Sequence, residues 1–187
     1  MQKRTIITSS LSKSFSVTGW RIGWAICPAY FASAIKNIHV KITDSAPAPF
    51  QEAALTALRS SPEYFDALRQ AYKSKRDYLA QLLTKVGFQV SVMPKGSFFL
   101  FMELPRTCTL SDVDFVEELI KQAGVVAVPG CVFFHTNSSK LEDLSLTAIS
   151  YHRRYIRFAF CKSEETLAAA SQKLTELIDG SGGLKLF

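Results

Sequence analysis

The sequence predicts a mixed α/β protein, and three observations lead to that prediction. Thr5–Thr8 is a short, β-branched apolar run, which is typical of a buried strand. A long stretch after Ser60 has apolar residues at helical spacing, which predicts an amphipathic helix. Beyond Gly87, short apolar runs alternate with amphipathic stretches, which predicts strands and helices in alternation.

Two strands and two helices are predicted before Ser60. The first strand leads into a serine-rich turn around Lys13, and the second strand follows that turn. A helix begins near Pro28, because proline is tolerated in the first turn of a helix. The predicted elements are strands over 5–8 and 21–27 and helices from 28 to about 40 and from about 50 to 58.

The long helix has clear signals at both ends. Ser60-Ser61-Pro62-Glu63 supplies a serine cap, a proline in the first turn and an acid near the positive end of the helix dipole. Gly87 marks its end, because glycine readily adopts the left-handed conformation that closes a helix. Between these signals, the apolar positions are Phe65, Leu68, Tyr72, Leu79, Leu82 and Val86.

The rest of the chain is predicted to alternate between strands and helices. Ser111 and the acids that follow it indicate a helix start, and so does Ser163 with its two glutamates. The polar stretch His135–Glu142 is predicted as a surface loop, and Gly180–Gly183 as a flexible tail. The predicted elements are strands over 88–93, 97–103, 125–128 and 154–161 and helices over 111–122 and 163–178.

Composition indicates a soluble globular protein that binds neither nucleic acid nor membrane. The 187 residues are 48% hydrophobic and 20% charged, which suffices for a real core. The uncharged run Ile22–Ile35 is 14 residues and contains Pro28, so it is too short to span a bilayer. The net charge of +6 comes from scattered basic residues, which suits anionic small molecules better than nucleic acid.

Cysteine and histidine spacing predicts neither a disulfide framework nor a metal site. The four cysteines have no Cys-x-x-Cys pair, and we expect reduced thiols in a reducing compartment. The three histidines lack metal-ligand spacing and are interpreted as structural or exposed. The residues concerned are Cys27, Cys108, Cys131, Cys161, His39, His135 and His152.

The turn around Lys13 has the residues for one particular chemistry. Lys13 follows a predicted strand in a serine-rich turn, and Arg21 comes eight positions later. A lysine amine forms a Schiff base with an aldehyde cofactor. A hydroxyl and a guanidinium hold a phosphate group. The residues therefore suit a phosphorylated aldehyde cofactor.

This stretch resembles the pyridoxal-phosphate lysine signature of the class I/II aminotransferases, which are fold-type I enzymes. The family pattern is a glycine or serine, a free position, a small residue and the lysine, followed later by Gly-x-Arg-apolar-Gly. The amino-acid sequence around this motif looks most like the kynurenine, glutamine or methionine aminotransferase-like branch. The matching residues are Ser10, Ser12, Lys13, Gly19, Arg21, Ile22 and Gly23.

The resemblance implies a role for each of four residues. Lys13 would be the Schiff base lysine for pyridoxal 5'-phosphate and would then move a proton as general base and acid. Ser10 and Arg21 would bind the cofactor phosphate. Arg157, within Tyr155–Phe160, matches the arginine that holds the substrate α-carboxylate. No metal is implied.

Two alternatives to the role of Arg157 stay open at this stage. An arginine among alternating apolar residues needs a partner, and a carboxylate of the protein itself is one candidate. Arg153 and Arg154 are neighbouring rivals for the substrate, although the apolar frame fits position 157 better. Pro94–Phe99 resembles the family's Gly-aromatic segment near the substrate entrance, and Val128–Phe133 resembles its Pro-Gly-x-x-Phe stretch. Turn formation and core packing explain both nearly as well.

The resemblance also implies a fold and a domain arrangement. Residues 1–60 would be a remnant of the large pyridoxal-phosphate domain, and 61–187 the linking helix with a small α+β C-terminal domain. Only 12 residues precede Lys13, whereas family members carry the aspartate, aromatic, asparagine and tyrosine around the cofactor ring before that lysine. We therefore expect the C-terminal half of such an enzyme, with Met1 an internal methionine of a longer precursor.

Three functions are consistent with these features. The first is an aminotransferase acting between amino acids and 2-oxo acids, homodimeric at full length and involved in amino acid metabolism. The second is a related fold-type I lyase that uses the same residues. The third is an inactive truncated form that binds full-length subunits. The expected compartment is intracellular, either cytoplasmic or organellar.

Overall fold

The computed structural model describes residues 2–134 and 151–177. The predicted loop His135–Glu142 and tail Gly180–Gly183 lie outside the described residues. The chain divides into two compact units, unit 1 over Met1–Asp66 and unit 2 over Ala67–Phe187. This division falls within the long helix, and the domain boundary after residue 60 stays a prediction.

Unit 1 consists of a β-hairpin followed by helices. The two strands are antiparallel, with Ser10 opposite Gly23 and Ile7 opposite Ile26. Both predicted helices are present. The first begins one residue later and ends three residues later than predicted, and the second begins two residues earlier and ends at the predicted residue. The elements are β1 (Ile7–Ser10), β2 (Gly23–Ile26), α1 (Ala29–Thr43), α2 (Ala48–Leu58) and the start of α3 (Pro62–Lys85).

The prediction that the first strand is buried is wrong. All four residues of β1 are exposed, and Ile7 and Ile26 have 57% and 60% of their surfaces accessible. A β-branched run indicates strand propensity, but burial depends on what covers the strand. Within the described residues, β1 pairs only with β2, and no helix of unit 1 buries either strand.

Unit 2 is built on a three-stranded antiparallel sheet in the order β3-β5-β4. β5 is central, with Arg157 opposite both Phe101 of β3 and Val128 of β4. Two helices join the remainder of α3 around this sheet. The elements are β3 (Phe99–Glu103), α4 (Asp112–Ala123), β4 (Val128–Pro129), β5 (Tyr155–Ala159) and α5 (Glu164–Glu176).

The two faces of this sheet have different environments. Side chains alternate along β3, so Leu100 and Met102 are buried while Phe99 and Phe101 are half-buried. The buried face belongs to one large core that includes residues of α3, α4 and α5. We call the opposite, half-buried face the open face. Its residues include Phe99, Phe101 and Arg157.

The prediction of a strand over 88–93 is also wrong. Phe88 is buried, but ladder pairing is limited to an isolated bridge between Gln89 and Glu103. Ser91 and Val92 are exposed and belong to no strand. Phe88 and Val90 thus pack on the core without continuing a strand. The strand predicted over 125–128 is displaced to Val128–Pro129, where the chain meets β5.

Candidate active site

The hairpin end carries the residues predicted for the cofactor. We call residues 11–22, which link β1 to β2, the Lys13 loop. The Leu11 N–H donates to the Ile22 carbonyl at 3.2 Å, so the ladder continues one step past Ser10 and Gly23. A Cβ at Gly23 would lie 2.9 Å from the Ser9 carbonyl oxygen, which explains why glycine occupies this position.

Apolar contacts hold the Lys13 loop in place within unit 1. Leu11 and Ile22 are buried together with Ala54 of α2, and Trp20 stacks on Phe50 with ring centroids 4.9 Å apart. These contacts fix both ends of the loop on α2. They leave the polar side chains between them at the surface.

The turn that contains Lys13 is fixed from both sides. The Phe15 N–H donates to the Leu11 carbonyl at 3.1 Å and closes one helical turn around Lys13. The Phe15 ring stacks on Tyr64 at 5.2 Å, and the Tyr64 hydroxyl donates to the Ser14 carbonyl at 2.7 Å. Lys13 itself is exposed. Its backbone therefore has a defined position although its side chain faces solvent.

Arg21 has an unusual backbone conformation. Its φ of 57° and ψ of 39° lie in the left-handed region, which non-glycine residues seldom adopt. One guanidinium nitrogen, Nη1, donates to the Thr18 carbonyl at 3.0 Å, and the side chain is exposed. Such backbone strain is frequent at functional sites, where a side chain must take one direction.

The charge around this loop is of one sign. Residues 1–43 include six lysines and arginines and no aspartate or glutamate. The first acid of the chain is Asp44, which follows α1. With Ser10 and Arg21 exposed on one end of the hairpin, this part of unit 1 suits an anion such as a phosphate group.

In unit 2, Arg157 lies on the open face between two aromatic rings. The centre of its guanidinium is 4.0 Å from the Phe99 ring centroid and 4.7 Å from that of Phe133. Its Nε atom is buried and has no hydrogen-bond partner. Over residues 2–134 and 151–177, no carboxylate pairs with Arg157. An unsatisfied buried donor is costly, and a carboxylate ligand would satisfy it.

The neighbouring arginines are engaged with the protein itself. Arg154 donates to the carbonyl oxygens of Cys108 at 2.6 Å and of Leu104 and Pro105 at 3.0 and 2.6 Å. Arg153 forms an ion pair with Asp112, with Nε and Oδ1 3.4 Å apart. Of the three arginines, Arg157 is thus the one without a protein acceptor in the described structure.

Sequence reasoning did not identify Asp112 as more than an acid at a helix start. The structure buries its side chain completely, beside Cys131 and Arg153. Burial raises the pKa of the Cys131 thiol, and the negative charge of Asp112 raises that pKa further. The sequence shows only an acid directly after the Ser111 cap. In most helices an acid at this position simply interacts with the positive end of the helix dipole.

The four cysteines are free thiols in this structure. No cluster of three or more potential metal ligands occurs in the described part of the chain. Among those same residues, no helix has the length and hydrophobicity to cross a membrane.

The chain belongs to the aminotransferase class I and II family, whose model matches residues 1–174. Members of this family use pyridoxal phosphate. The sequence is 32% identical to methionine aminotransferase of Escherichia coli over 178 residues, covering 95% of this chain. It is 30% identical to human kynurenine–oxoglutarate transaminase 1 over 192 residues, covering 93% of this chain.

Solved structures agree with this family. N-succinyldiaminopimelate aminotransferase from Mycobacterium tuberculosis superposes with a TM-score of 0.80 and 33% identity over 94% of this chain. An Escherichia coli protein described as having a methionine aminotransferase function gives a TM-score of 0.79 and 32% identity. In both cases the match covers 42% of the other chain. The chain thus spans less than half the length of these relatives.

Proposed function

We propose that this chain carries the lysine, the phosphate-binding residues and the substrate arginine of a pyridoxal-phosphate-dependent aminotransferase. The enzyme would transfer an amino group from an amino acid to a 2-oxo acid. The observation that carries the proposal is the hairpin end in unit 1. There Ser10, the last residue of β1, is exposed, and so are Lys13 and Arg21 on the Lys13 loop, which buried apolar residues anchor.

The donor set of this loop fits a phosphorylated aldehyde. A dianionic phosphate prefers a guanidinium and hydroxyl groups as donors. Arg21 uses one nitrogen for the Thr18 carbonyl, so further N–H groups of its guanidinium are available to a ligand. The Ser10 hydroxyl lies at the same hairpin end, and the sequence around it contains no acid.

Each residue would have a separate task in the reaction. Bound pyridoxal phosphate supplies an aldehyde that joins to amines and a ring that withdraws electrons from the substrate Cα. The Lys13 amine would take the proton from the substrate Cα and later return one. Ser10 and Arg21 would hold the phosphate and thereby keep Lys13 next to the reacting group.

Arg157 would bind and orient the amino acid or oxo acid. Its planar guanidinium offers two parallel N–H donors to a carboxylate, which fixes the direction of the substrate Cα–H bond. The buried Nε supports this role, because it is a donor for which the described part of the chain provides no acceptor. The guanidinium lies over the faces of the Phe99 and Phe133 rings, and these contacts hold it in place.

The domain arrangement and assembly belong to the same proposal. Residues 1–60 would contribute to the large cofactor domain, and 61–187 would form the linking helix and the small α+β domain. The full-length enzyme would be a homodimer. The division into two compact units supports two domains, although it falls after Asp66.

Amino-group transfer is favoured over lyase chemistry and over an inactive binding role. The curated relatives cited above are named as aminotransferases or transaminases, and they match nearly the whole of this chain. Product analysis separates transfer from elimination. A transferase yields a new amino acid from the added oxo acid, whereas a lyase releases a fragment of its substrate.

Cofactor attachment is the experiment that tests the proposal. The purified chain is mixed with pyridoxal phosphate, its absorbance spectrum is recorded, and borohydride is added before peptide mapping. We expect a visible absorbance band and a label on Lys13, both lost in Lys13→Ala. Lys36→Ala is the matched control, because Lys36 is an exposed lysine on α1. A label spread evenly over exposed lysines would contradict the proposal.

A further inference from the structure

Asp112 is the one charged residue among those described whose side chain is fully buried. Its Oδ2 atom accepts the Cys131 backbone N–H at 2.7 Å, and its Oδ1 atom accepts Arg153 Nε at 3.4 Å. Arg153 Nη2 also donates to the Ser111 hydroxyl at 3.2 Å. Burying a carboxylate is expensive unless it is paired and hydrogen-bonded, and these two donors fulfil that requirement.

The two partners of Asp112 belong to different segments of the chain. Cys131 lies in the helical turn Gly130–Phe133, and Arg153 lies in the turn Tyr151–Arg153 that leads directly into β5. A single carboxylate at the start of α4 therefore connects both segments. The first of these segments carries Phe133, and the second leads to Arg157.

The turn Gly130–Phe133 lies directly against β5. A Cβ at Gly130 would be 2.5 Å from the Tyr155 carbonyl oxygen, so only glycine allows this approach. Phe133 follows three residues later and covers the Arg157 guanidinium at 4.7 Å. Phe133 is 49% exposed, and its ring also contacts that of Phe101 edge to face, with centroids 6.0 Å apart. The backbone of the turn sets where the ring starts from, so a shift of the turn would move the ring relative to both neighbours.

We propose that Asp112 is a positioning residue for substrate binding. By holding the Cys131 amide, Asp112 keeps Phe133 against Arg157, and the guanidinium stays between two rings and ready for one carboxylate. This inference rests on the proposed role of Arg157 as the carboxylate-binding residue. Asp112 itself does not touch the substrate, and it acts through Phe133.

The test uses the backbone and arginine N–H signals of the full 187-residue chain in ¹⁵N NMR. The Arg157 Nε–H signal reports the ring currents of Phe99 and Phe133 before any ligand is added. Titration with 3-phenylpropionate, an unreactive carboxylate, then gives a dissociation constant at Arg157. The test variant is Asp112→Asn, whose amide offers one oxygen to two facing donors. Asp114→Asn is the matched control, because Asp114 is exposed and, among the described residues, its side chain bonds Ser111 alone.

We expect Asp112→Asn to shift the free Arg157 Nε–H signal and to weaken 3-phenylpropionate binding by about tenfold. Asp114→Asn should change neither. In a Phe133→Ala background, which should itself bind about tenfold more weakly, Asp112→Asn should add little. A general loss of structure would instead weaken binding further in that background. Measurements are made well below the unfolding temperature of each variant.

The outcomes separate this inference from the proposed function. If the wild-type chain does not bind the carboxylate, the role of Arg157 fails, and the free Nε–H shift still reports whether Asp112 positions the ring. If the wild type binds and Asp112→Asn changes neither signal nor affinity, the inference is overturned. If Asp112→Asn does not fold, the Phe133→Ala variant decides. An unchanged affinity of Phe133→Ala for 3-phenylpropionate overturns the inference, because Asp112 is proposed to act on Arg157 only through Phe133.

Discussion

Three arginines within five residues have different environments, and that difference carries the functional argument at the scale of single residues. Arg153 pairs with a buried acid, and Arg154 donates to three carbonyl oxygens. Arg157 is held by two aromatic faces, an interaction that contributes about 0.5–2 kcal/mol. These ring contacts do not satisfy the Nε–H donor, so the buried Nε is left for an acceptor that residues 2–134 and 151–177 do not supply.

Replacing Arg157 by lysine tests the need for a fork of donors. Lysine keeps the positive charge but loses the planar pair of N–H groups and the stacking between the rings. We expect Arg157→Lys to weaken 3-phenylpropionate binding by at least about tenfold, measured by titration calorimetry. Arg106→Lys, at an exposed position, should bind as the wild type does. Equal affinities in all three chains would contradict a bidentate role.

At Arg21, the effect of the backbone conformation on stability can be measured separately from the role of the side chain in cofactor binding. A left-handed conformation costs a non-glycine residue about 1–2 kcal/mol, and glycine avoids this cost but loses a comparable amount of backbone entropy. We expect Arg21→Gly to change the free energy of unfolding in urea by less than about 1 kcal/mol. Pyridoxal phosphate binding, followed by absorbance, should weaken more than about tenfold.

Two results would contradict this interpretation of Arg21. Unchanged cofactor affinity in Arg21→Gly would remove it from the phosphate site. Unfolding of the variant would mean that the hydrogen bond to Thr18 is structural. Arg59→Gly is the control for losing one exposed arginine, since Arg59 has a φ of −89° and lies at the end of α2.

At the scale of elements, helices with clear caps were predictable and short strands were less so. The prediction of a helix over 111–122 is confirmed within one residue, because Ser111 accepts the Asp114 N–H and Gly124 ends the helix in a left-handed conformation. Both signals are local in sequence. The strand predicted over 88–93 failed because strand pairing is decided by a distant partner, and β5 fills the place beside β3.

In the candidate site too, residues close together in the sequence were predictable, and residues brought together by the fold were not. The Lys13 loop was recognisable because its residues are close in sequence. The arrangement around Arg157 was not, since it brings together β3, the turn at Gly130 and β5. The segments Pro94–Phe99 and Val128–Phe133 were recognisable in the sequence, which offers no means of placing one ring from each segment on the same arginine. Asp112 was missed for the same reason.

The turn Gly130–Phe133 supports a prediction about one element. A Cβ at Gly130 would meet Tyr155 atoms at 2.5 and 2.6 Å, whereas a Cβ at Gly96 would meet nothing within 4 Å. We expect Gly130→Ala to lower the free energy of unfolding by about 1–3 kcal/mol, because the turn must move off β5. Gly96→Ala should change it by less than about 1 kcal/mol. Urea denaturation measures both, and equal stabilities would mean that the turn is not packed on β5.

At the scale of the whole molecule, the two units differ in how much apolar surface they bury. Among the residues that the structure describes, the core of unit 2 contains twenty buried residues, whereas the corresponding cluster in unit 1 has three, namely Leu11, Ile22 and Ala54. Hydrophobic burial is the main favourable term in folding. The residues proposed to bind the cofactor thus lie in the unit with the smaller core, and Arg157 lies in the unit with the larger one.

This difference predicts how backbone amides exchange with deuterium. Helices α1 and α4 have similar lengths of 15 and 12 residues, but α1 has no buried residue and α4 has five. Both have regular helical hydrogen bonds, so burial is the main variable between them. We expect α4 amides to exchange about a hundredfold more slowly than α1 amides, because local opening of α1 exposes little new apolar surface.

Two results would differ from this expectation. If α1 and α4 amides exchange equally slowly at both high and low protein concentration, burial does not set the local stability of unit 1. If the two helices exchange equally slowly only at high protein concentration, self-association of the chain covers the exposed isoleucines of α1.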